Sequence, residues 1–279
     1  MRRQVRVTVT VGAALCATVA TLLGGVSLAG QGAKPPAPRY RAARTHDGKP
    51  DLNGIWQANN AANWDLEAHA ARPSSVLQLG AVGAVPASLG VVEGDTIPYK
   101  PEALAKKKEN ASKWLSLDPE VKCYLPGVPR ATYMPFPFQI LQTPNAILFA
   151  YEFASASRVV NMTSPVEAPI DSWMGYSSGR WDGDTLVIDV KGFNDSTWFD
   201  RAGNYHSDQL HVVERYTPIS ADALMYEATI EDPQVFTRPW KISMPLYRRL
   251  EKNAAILEFK CVEFVEELMY GHLRKPGSK

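Results

Sequence analysis

The stretch that decides the fold is Leu224-Met225-Tyr226-Glu227-Ala228-Thr229-Ile230-Glu231. Large or apolar side chains fill every second position, at Leu224, Tyr226, Ala228 and Ile230. Successive side chains of a β-strand point to opposite faces, so this alternation predicts a strand with one buried face. The same period of two recurs upstream, at Ile147, Phe149, Tyr151 and Phe153, and again at Leu186, Ile188 and Val190.

Eight segments are predicted to be strands, because they are rich in β-branched and aromatic residues and most are bounded by turn residues. They are 138–143, 146–153, 157–162, 185–191, 210–217, 224–231, 240–247 and 255–263. So many consecutive antiparallel strands usually close on themselves to remove their edges. The expected fold is therefore mainly β, an antiparallel meander forming a closed barrel, with a β-sandwich as the alternative. One or two peripheral helices are also expected. Segment 102–115 is predicted to be one of them, because it is built from good helix formers.

The first residues are typical of a secretion signal. Arg2, Arg3 and Arg6 precede an uncharged run from Val7 to Ala33, and Ser27-Leu28-Ala29 offers the small residues that a signal peptidase accepts. We therefore expect a signal peptide over 1–29 and a periplasmic or secreted protein. An uncleaved segment acting as a membrane anchor is the alternative. A flexible linker (30–45), one β-rich domain (46–272) and a short tail (273–279) are expected to follow.

Charge and composition exclude one class of partner. Cleavage after Ala29 leaves 27 basic and 29 acidic residues, a formal charge of about −2. A nearly neutral chain without a basic run lacks the electrostatic footprint of a nucleic-acid-binding protein. Cys123 and Cys261 remain in the mature chain. In an oxidising compartment they either pair or stay as two separate buried thiols.

Several motifs carry a resemblance. Gly54-Ile55-Trp56 resembles the Gly-x-Trp that opens the first strand of lipocalins, which implies a barrel around an apolar ligand. The run from Asp47 to Leu52 (DGKPDL), the run from Gly179 to Asp189 (GRWDGDTLVID) and Gly192-Phe193-Asn194-Asp195 are similar to a large family of secreted bacterial proteins. That resemblance implies a shared fold and an exported location, but no reaction.

The segment 192–209 is the best candidate for chemistry, because it joins two predicted strands across far more residues than a hairpin needs. Histidines beside carboxylates suit proton transfer near neutral pH. The predicted catalytic residues are a proton carrier, an orienting acid and an anion-holding arginine, drawn from His206, His211, Asp195, Asp208 and Arg215. The alternative is structural, since Asp and Asn also stabilise turns.

His206-x-Asp208-x-x-His211 also contains metal-ligand residue types. On a straight strand, positions 206 and 208 face one side and 211 the other, so no metal site is predicted. The chain has no Gly-x-Ser-x-Gly motif and no phosphate-binding glycine loop, which argues against a serine hydrolase and a nucleotide enzyme. No cofactor is predicted.

Aromatic residues near strand ends favour a cavity for a small hydrophobic or aromatic molecule, although filling of the core explains most single positions. The predicted ligand-binding residues are Trp173, Trp181, Trp198, Tyr151, Arg180 and Glu214. The leading functional hypothesis is an exported, small-molecule-binding barrel. The alternatives are a cofactor-independent acid–base enzyme (hydratase, lyase, isomerase or hydrolase) that uses residues 193–215, and a scaffold that binds another protein through the long loop.

Overall fold

The computed structural model describes residues 40–75, 81 and 84–259. These residues belong to one compact unit, Arg39–Lys279. The predicted signal peptide, most of the predicted linker, the predicted tail and Cys261 lie outside the described residues. Cys123 forms a disulfide bond.

The described residues form a closed barrel, as the sequence predicts. Each strand pairs with the next along the chain, and the first pairs with the last through Trp56 and Arg248. Within the described ranges the strands are β1 (Gly54–Ala58), β2 (Phe138–Gln142), β3 (Ala146–Tyr151), β4 (Ser157–Asn161), β5 (Tyr176–Asp182), β6 (Thr185–Lys191), β7 (His211–Ser220), β8 (Ala223–Glu231) and β9 (Trp240–Arg248). Full closure leaves no unpaired edge strand.

Three segments differ from the eight predicted strands. β1 is expected only from the Gly-x-Trp resemblance. β5 is not predicted, because Ser177-Ser178-Gly179 at its centre has low β propensity, and the pairing with β6 decides its conformation instead. The predicted strand over 255–263 is wrong for residues 255–259, which are not in a strand, and residues 260–263 lie outside the described residues.

The meander also has one exception to its antiparallel order. β4 and β5 run parallel and pair only through Val160 with Ser177 and Asn161 with Ser178. The chain between them crosses back before β5 begins, so the two strands start from the same end of the barrel. We call this junction the β4–β5 seam.

Alternation along the strands builds the barrel core, as predicted. Phe149, Ile188, Tyr226 and Ile242 are fully buried, and each belongs to the inward-facing set of its strand. Neighbouring positions are more exposed on β3, β8 and β9, whereas on β6 Val187 is buried as well. The interior is thus lined by large apolar and aromatic side chains.

Non-strand segments pack over one end of the barrel. In the described part these include helices α1 (Pro101–Ser112), α2 (Trp114–Leu117) and α3 (Arg130–Tyr133). The predicted helix over 102–115 therefore breaks at Lys113. The segment 192–209, which the sequence indicates as the best candidate for chemistry, lies against α1. A β-carbon at Gly203, whose φ is +83°, would lie 2.5 Å from the backbone nitrogen of Ala111.

At the other end, ordered contacts begin before the predicted domain boundary at residue 46. Ala42 is buried, Arg44 pairs with Pro50, and the Arg44 guanidinium lies 2.7 Å from Asp184. Across the ranges that the structure describes, every helix is too short or too polar to cross a membrane.

Candidate functional site

A group of polar side chains lies inside the apolar barrel. We call Tyr151, Arg158, Glu214, Tyr216 and Tyr226 the interior cluster. Arg158 stands on β4 and Glu214 on β7, two strands that are separated by β5 and β6. Their side chains nevertheless meet at 2.5 Å, so this ion pair spans the interior.

Glu214 uses both carboxylate oxygens. Its Oε2 accepts the hydrogen bond from Arg158 Nη1. Its Oε1 accepts from the hydroxyl groups of Tyr216 at 3.0 Å and Tyr226 at 2.8 Å. Charge-assisted hydrogen bonds of this kind are the strong ones in proteins.

Arg158 directs its remaining donors to other polar groups. Nε donates to the Tyr151 hydroxyl at 3.0 Å, Nη2 to the Tyr216 hydroxyl at 3.3 Å, and Nη1 also reaches the Ser177 hydroxyl at 3.4 Å. The guanidinium carbon lies 4.7 Å from the centre of the Phe149 ring. The arginine is therefore held in one orientation by contacts from several strands.

Electrostatics favour a charged Arg158 and neutral Tyr216 and Tyr226. Burial opposes a charged Arg158, but the neighbouring Glu214 carboxylate outweighs it and raises the pKa of the guanidinium. Burial, followed by the charge of Glu214, raises the pKa of the Tyr216 and Tyr226 hydroxyls well above the usual phenol value. Both tyrosines therefore remain protonated and able to donate at neutral pH.

The interior cluster is almost completely shielded from solvent. Glu214, Tyr216 and Tyr226 are fully buried, and Arg158 and Tyr151 are also buried. Arg158 contacts Ser177, which belongs to the pairs that join β4 to β5. The arginine end of the cluster therefore lies beside the β4–β5 seam.

Position 179 on that seam is kept free of a side chain. A β-carbon at Gly179 would lie 2.4 Å from Met162 Sδ and 2.6 Å from Val160 Cγ1. A cleft of about 570 Å³ opens on the outer surface here, and Gly179 and Met162 are among its lining residues. This cleft therefore adjoins Met162 and Gly179, next to the buried side chain of Val160.

A second buried polar network lies in the segments over the barrel end. Arg130 forms a bidentate pair with Asp118, at 2.8 and 2.9 Å, and donates to Asn63. Asp200 accepts hydrogen bonds from the backbone of Leu66 and from the side chain of Asn204. Burial, followed by the charge of Asp65, raises the pKa of Asp200 to about 7.

His206, one of the two predicted proton carriers, is built into this end of the molecule. It is 1% exposed, its Nδ1 lies 2.8 Å from the Ser207 carbonyl oxygen, and its Nε2 lies 2.6 Å from the Thr197 hydroxyl. A neutral imidazole that donates from Nδ1 and accepts at Nε2 satisfies both contacts. Burial lowers the pKa of His206, which favours that neutral form.

His211 has different surroundings. It opens β7 and is partly exposed, with Nε2 at 2.8 Å from Asp189 and Nδ1 at 3.7 Å from Glu231. Asp195 and Asp208 are exposed, and Asp208 accepts from Gln209 and Gln234. Neither aspartate hydrogen-bonds to a predicted histidine in the described part of the chain, so Asp189 is the acid that orients His211.

The two predicted arginines lie on the outer surface. Arg180 lines the 570 Å³ cleft together with Asp189 and Lys191. Arg215 forms an ion pair with Asp182 at 2.9 Å. Within the described ranges, no group of three His, Cys, Asp or Glu residues is arranged to hold a metal ion.

The three predicted tryptophans occupy separate places. Trp198 is 9% exposed and pairs with Tyr205 in the segments over the barrel end. Trp173 packs on Tyr124 with ring centres 5.3 Å apart. Trp181 lines a cleft of about 360 Å³ at the opposite end of the barrel.

Of the predicted ligand-binding residues, the structure brings together Tyr151 and Glu214. Arg158, Tyr216 and Tyr226 are not among the predicted site residues. The sequence does contain a feature that identifies them, because each is a polar residue at an inward position of an alternating strand. No protein-family model, curated protein or solved structure matches this chain.

Proposed function

We propose that the mature, exported protein binds a small, mainly apolar or aromatic molecule inside the barrel, with its polar group held at the interior cluster. The observation that carries this proposal is the buried Arg158–Glu214 pair and its tyrosine hydroxyls. Stability alone does not favour such a pair, since well-packed apolar residues of similar volume are often as stabilising or more so. Ionisable groups held in an apolar interior are candidates for a functional role.

The surroundings suggest the class of ligand. Phe149 and Val160 are fully buried close to the cluster, so most of a ligand's surface would meet apolar groups. Its polar part would meet one guanidinium and the hydroxyls of Tyr151 and Ser177. A molecule with a ring and one hydroxyl, carbonyl or carboxylate group fits this combination.

The β4–β5 seam supplies the route in this proposal. The two strands share few pairs, the adjoining Gly179 lacks a side chain, and Arg158 of the cluster contacts Ser177 of β5. A ligand would enter by displacing Met162 and Val160 rather than by breaking long antiparallel ladders. Local openings of this kind are drawn from the least stable parts of a fold.

The test begins with untargeted mass spectrometry of small molecules released from the purified protein. The affinity of a recovered molecule, or of para-hydroxybenzoate and indole as probes, is then measured for the wild type, Arg158→Met and Arg215→Met. We expect the first variant to weaken binding at least about tenfold, as loss of a charge-assisted hydrogen bond implies. Arg215 lies beside Glu214 in sequence but faces outward, so its variant should bind normally.

Equal affinity in both variants would overturn the interior site. The exported location is tested separately, by fractionating cells that express the full chain. Recovery of a form shortened by the first 29 residues in the periplasm or medium supports it.

Acid–base catalysis is a second candidate, and the His211–Asp189 pair favours it. The pair adjoins the 570 Å³ cleft, where Arg180 and Lys191 supply positive charge for an anionic group. If this function is correct, His211→Asn should abolish conversion of a recovered ligand while leaving the thermal midpoint nearly unchanged. If His211→Asn converts the ligand as fast as the wild type does, acid–base catalysis by this pair is wrong.

A further inference from the structure

We infer that the protein has a second ligand site, for a neutral saccharide, at the end of the barrel where β2 and β5 finish. The site is the 360 Å³ cleft that Trp181 lines, which we call the end cleft. Three segments distant in sequence form it: the run from Thr45 to Asn53, the residues from Gln142 to Ile147, and Trp181 near the end of β5. It is separate from the interior cluster and does not depend on the proposed function.

The floor of the end cleft is held rigidly. Gln142 accepts a hydrogen bond from the Leu52 backbone at 2.5 Å and donates to the Pro50 carbonyl oxygen at 3.0 Å. Asn53 accepts from the Gln142 backbone and donates its side-chain amide to Asp51. Several hydrogen bonds thus fix the segment from Pro50 to Asn53 on β2, so the cleft is preformed and little order is lost on binding.

The lining combines an aromatic wall with polar groups of both kinds. Trp181 is partly exposed, and Ile147 and Pro144 extend the apolar side. Asp47 and Asp51 provide acceptor oxygens, while the exposed ends of His46 and Lys49 provide donors. The hydrogen bond from Thr45, despite some opposing desolvation, lowers the pKa of Asp47, which keeps that carboxylate ionised at neutral pH.

These features select a class of ligand. A saccharide ring has one apolar face of C–H groups, which packs on an indole, and a rim of hydroxyls that both donate and accept. Charges of both signs in the cleft disfavour a strongly anionic or cationic ligand. The volume is at the small end of ligand pockets, as expected for one or two sugar rings.

The test uses the full mature chain and three probes, glucose, N-acetylglucosamine and cellobiose, titrated at millimolar concentrations by saturation-transfer NMR and calorimetry. We expect at least one probe to bind the wild type and Trp181→Ala to weaken it about tenfold through loss of the stacking face. Trp181→Phe should retain most of the affinity. Asp51→Asn should weaken binding less than removal of the ring does.

Trp173→Ala is the matched control, because Trp173 is also partly exposed but precedes β5 instead of ending it. It should leave saccharide affinity unchanged. The inference is overturned if none of the three sugars binds, if Trp181→Ala binds as the wild type does, or if the control loses as much. Binding of para-hydroxybenzoate but of no sugar at the end cleft would also overturn it. Thermal midpoints of every variant separate lost binding from lost folding.

Discussion

Arg158 and Glu214 show how strongly a buried charge depends on its partner. The pair is almost completely shielded from water, and its charges are satisfied only by each other, by tyrosine hydroxyls and by Ser177. Removing one member leaves the other charged and buried. The cost of doing so is much larger than the net contribution of the intact pair.

We therefore expect Arg158→Met and Glu214→Gln each to lower the free energy of unfolding by about 3–5 kcal/mol. The double variant should lose less than the sum, because no unpaired charge remains. Denaturant unfolding of the four proteins measures this. Arg215→Met, which removes an exposed ion pair, should cost about 0–1 kcal/mol. Strict additivity would show that the two charges do not act as a pair.

His206 predicts a pH dependence. Burial lowers its pKa in the folded protein, whereas the unfolded residue titrates near the ordinary value of about 6.5. Below that pH the unfolded chain takes up a proton that the folded chain resists. Stability contributed by neutral His206 is therefore complete above about pH 6.5 and is lost as the pH falls towards the lowered pKa.

We expect His206→Gln to reduce the loss of stability between about pH 7 and pH 5, as measured by urea unfolding at each pH. Asp200 acts in the opposite direction, because its pKa of about 7 in the folded protein lies above the unfolded value. Its contribution declines as the pH rises through that window. The measurement is therefore the difference between the variant and the wild type in how the free energy of unfolding changes with pH, and neither curve is used alone. Parallel curves would contradict the role given to His206.

At the scale of elements, the β4–β5 seam is the irregular part of the barrel. It replaces a long antiparallel ladder by two parallel pairs, and its packing depends on the missing side chain at Gly179. We expect Gly179→Ala to lower the free energy of unfolding by about 1–3 kcal/mol, since Met162 and Val160 must move. The combination with Met162→Ala should recover part of that loss.

Hydrogen exchange measures whether the destabilisation in Gly179→Ala is confined to the β4–β5 seam. Amides of Asn161 and Ser178 should exchange faster in Gly179→Ala, while those of the β7–β8 ladder should change little. Uniform acceleration across the barrel would instead mean that the seam is not a separate weak point.

The barrel and the segments over its end are expected to unfold as one unit. Phe199 from the segment 192–210 packs on Trp240 of β9, and both belong to one continuous core with the barrel side chains. We expect the unfolding transitions of the barrel domain, followed by far-ultraviolet and by near-ultraviolet circular dichroism, to coincide on heating. Two separated transitions would show that the segments over the barrel end are independent of the strands.

Local pattern accounts for most of the strands. The alternation in β3, β6 and β8 identifies which side chains face inward without any knowledge of neighbouring strands, because the pleat is a property of the backbone. The same argument fails for β5, whose small polar centre becomes a strand only because β6 pairs with it. It also fails for residues 255–259, where a run of mainly apolar residues does not form a strand.

By itself the sequence determined that this protein is built mainly of strands and that Tyr151 lies on an inward face, since both follow from spacing along one segment. The number of consecutive strands favoured a closed sheet. Only the tertiary structure decided that Arg158 meets Glu214 from strands that are not neighbours, and that Trp181 joins the segment around Asp51. Which inward residues meet depends on how the sheet closes. That closure is set by the pairing between strands, and the two-residue alternation along a single strand does not determine it.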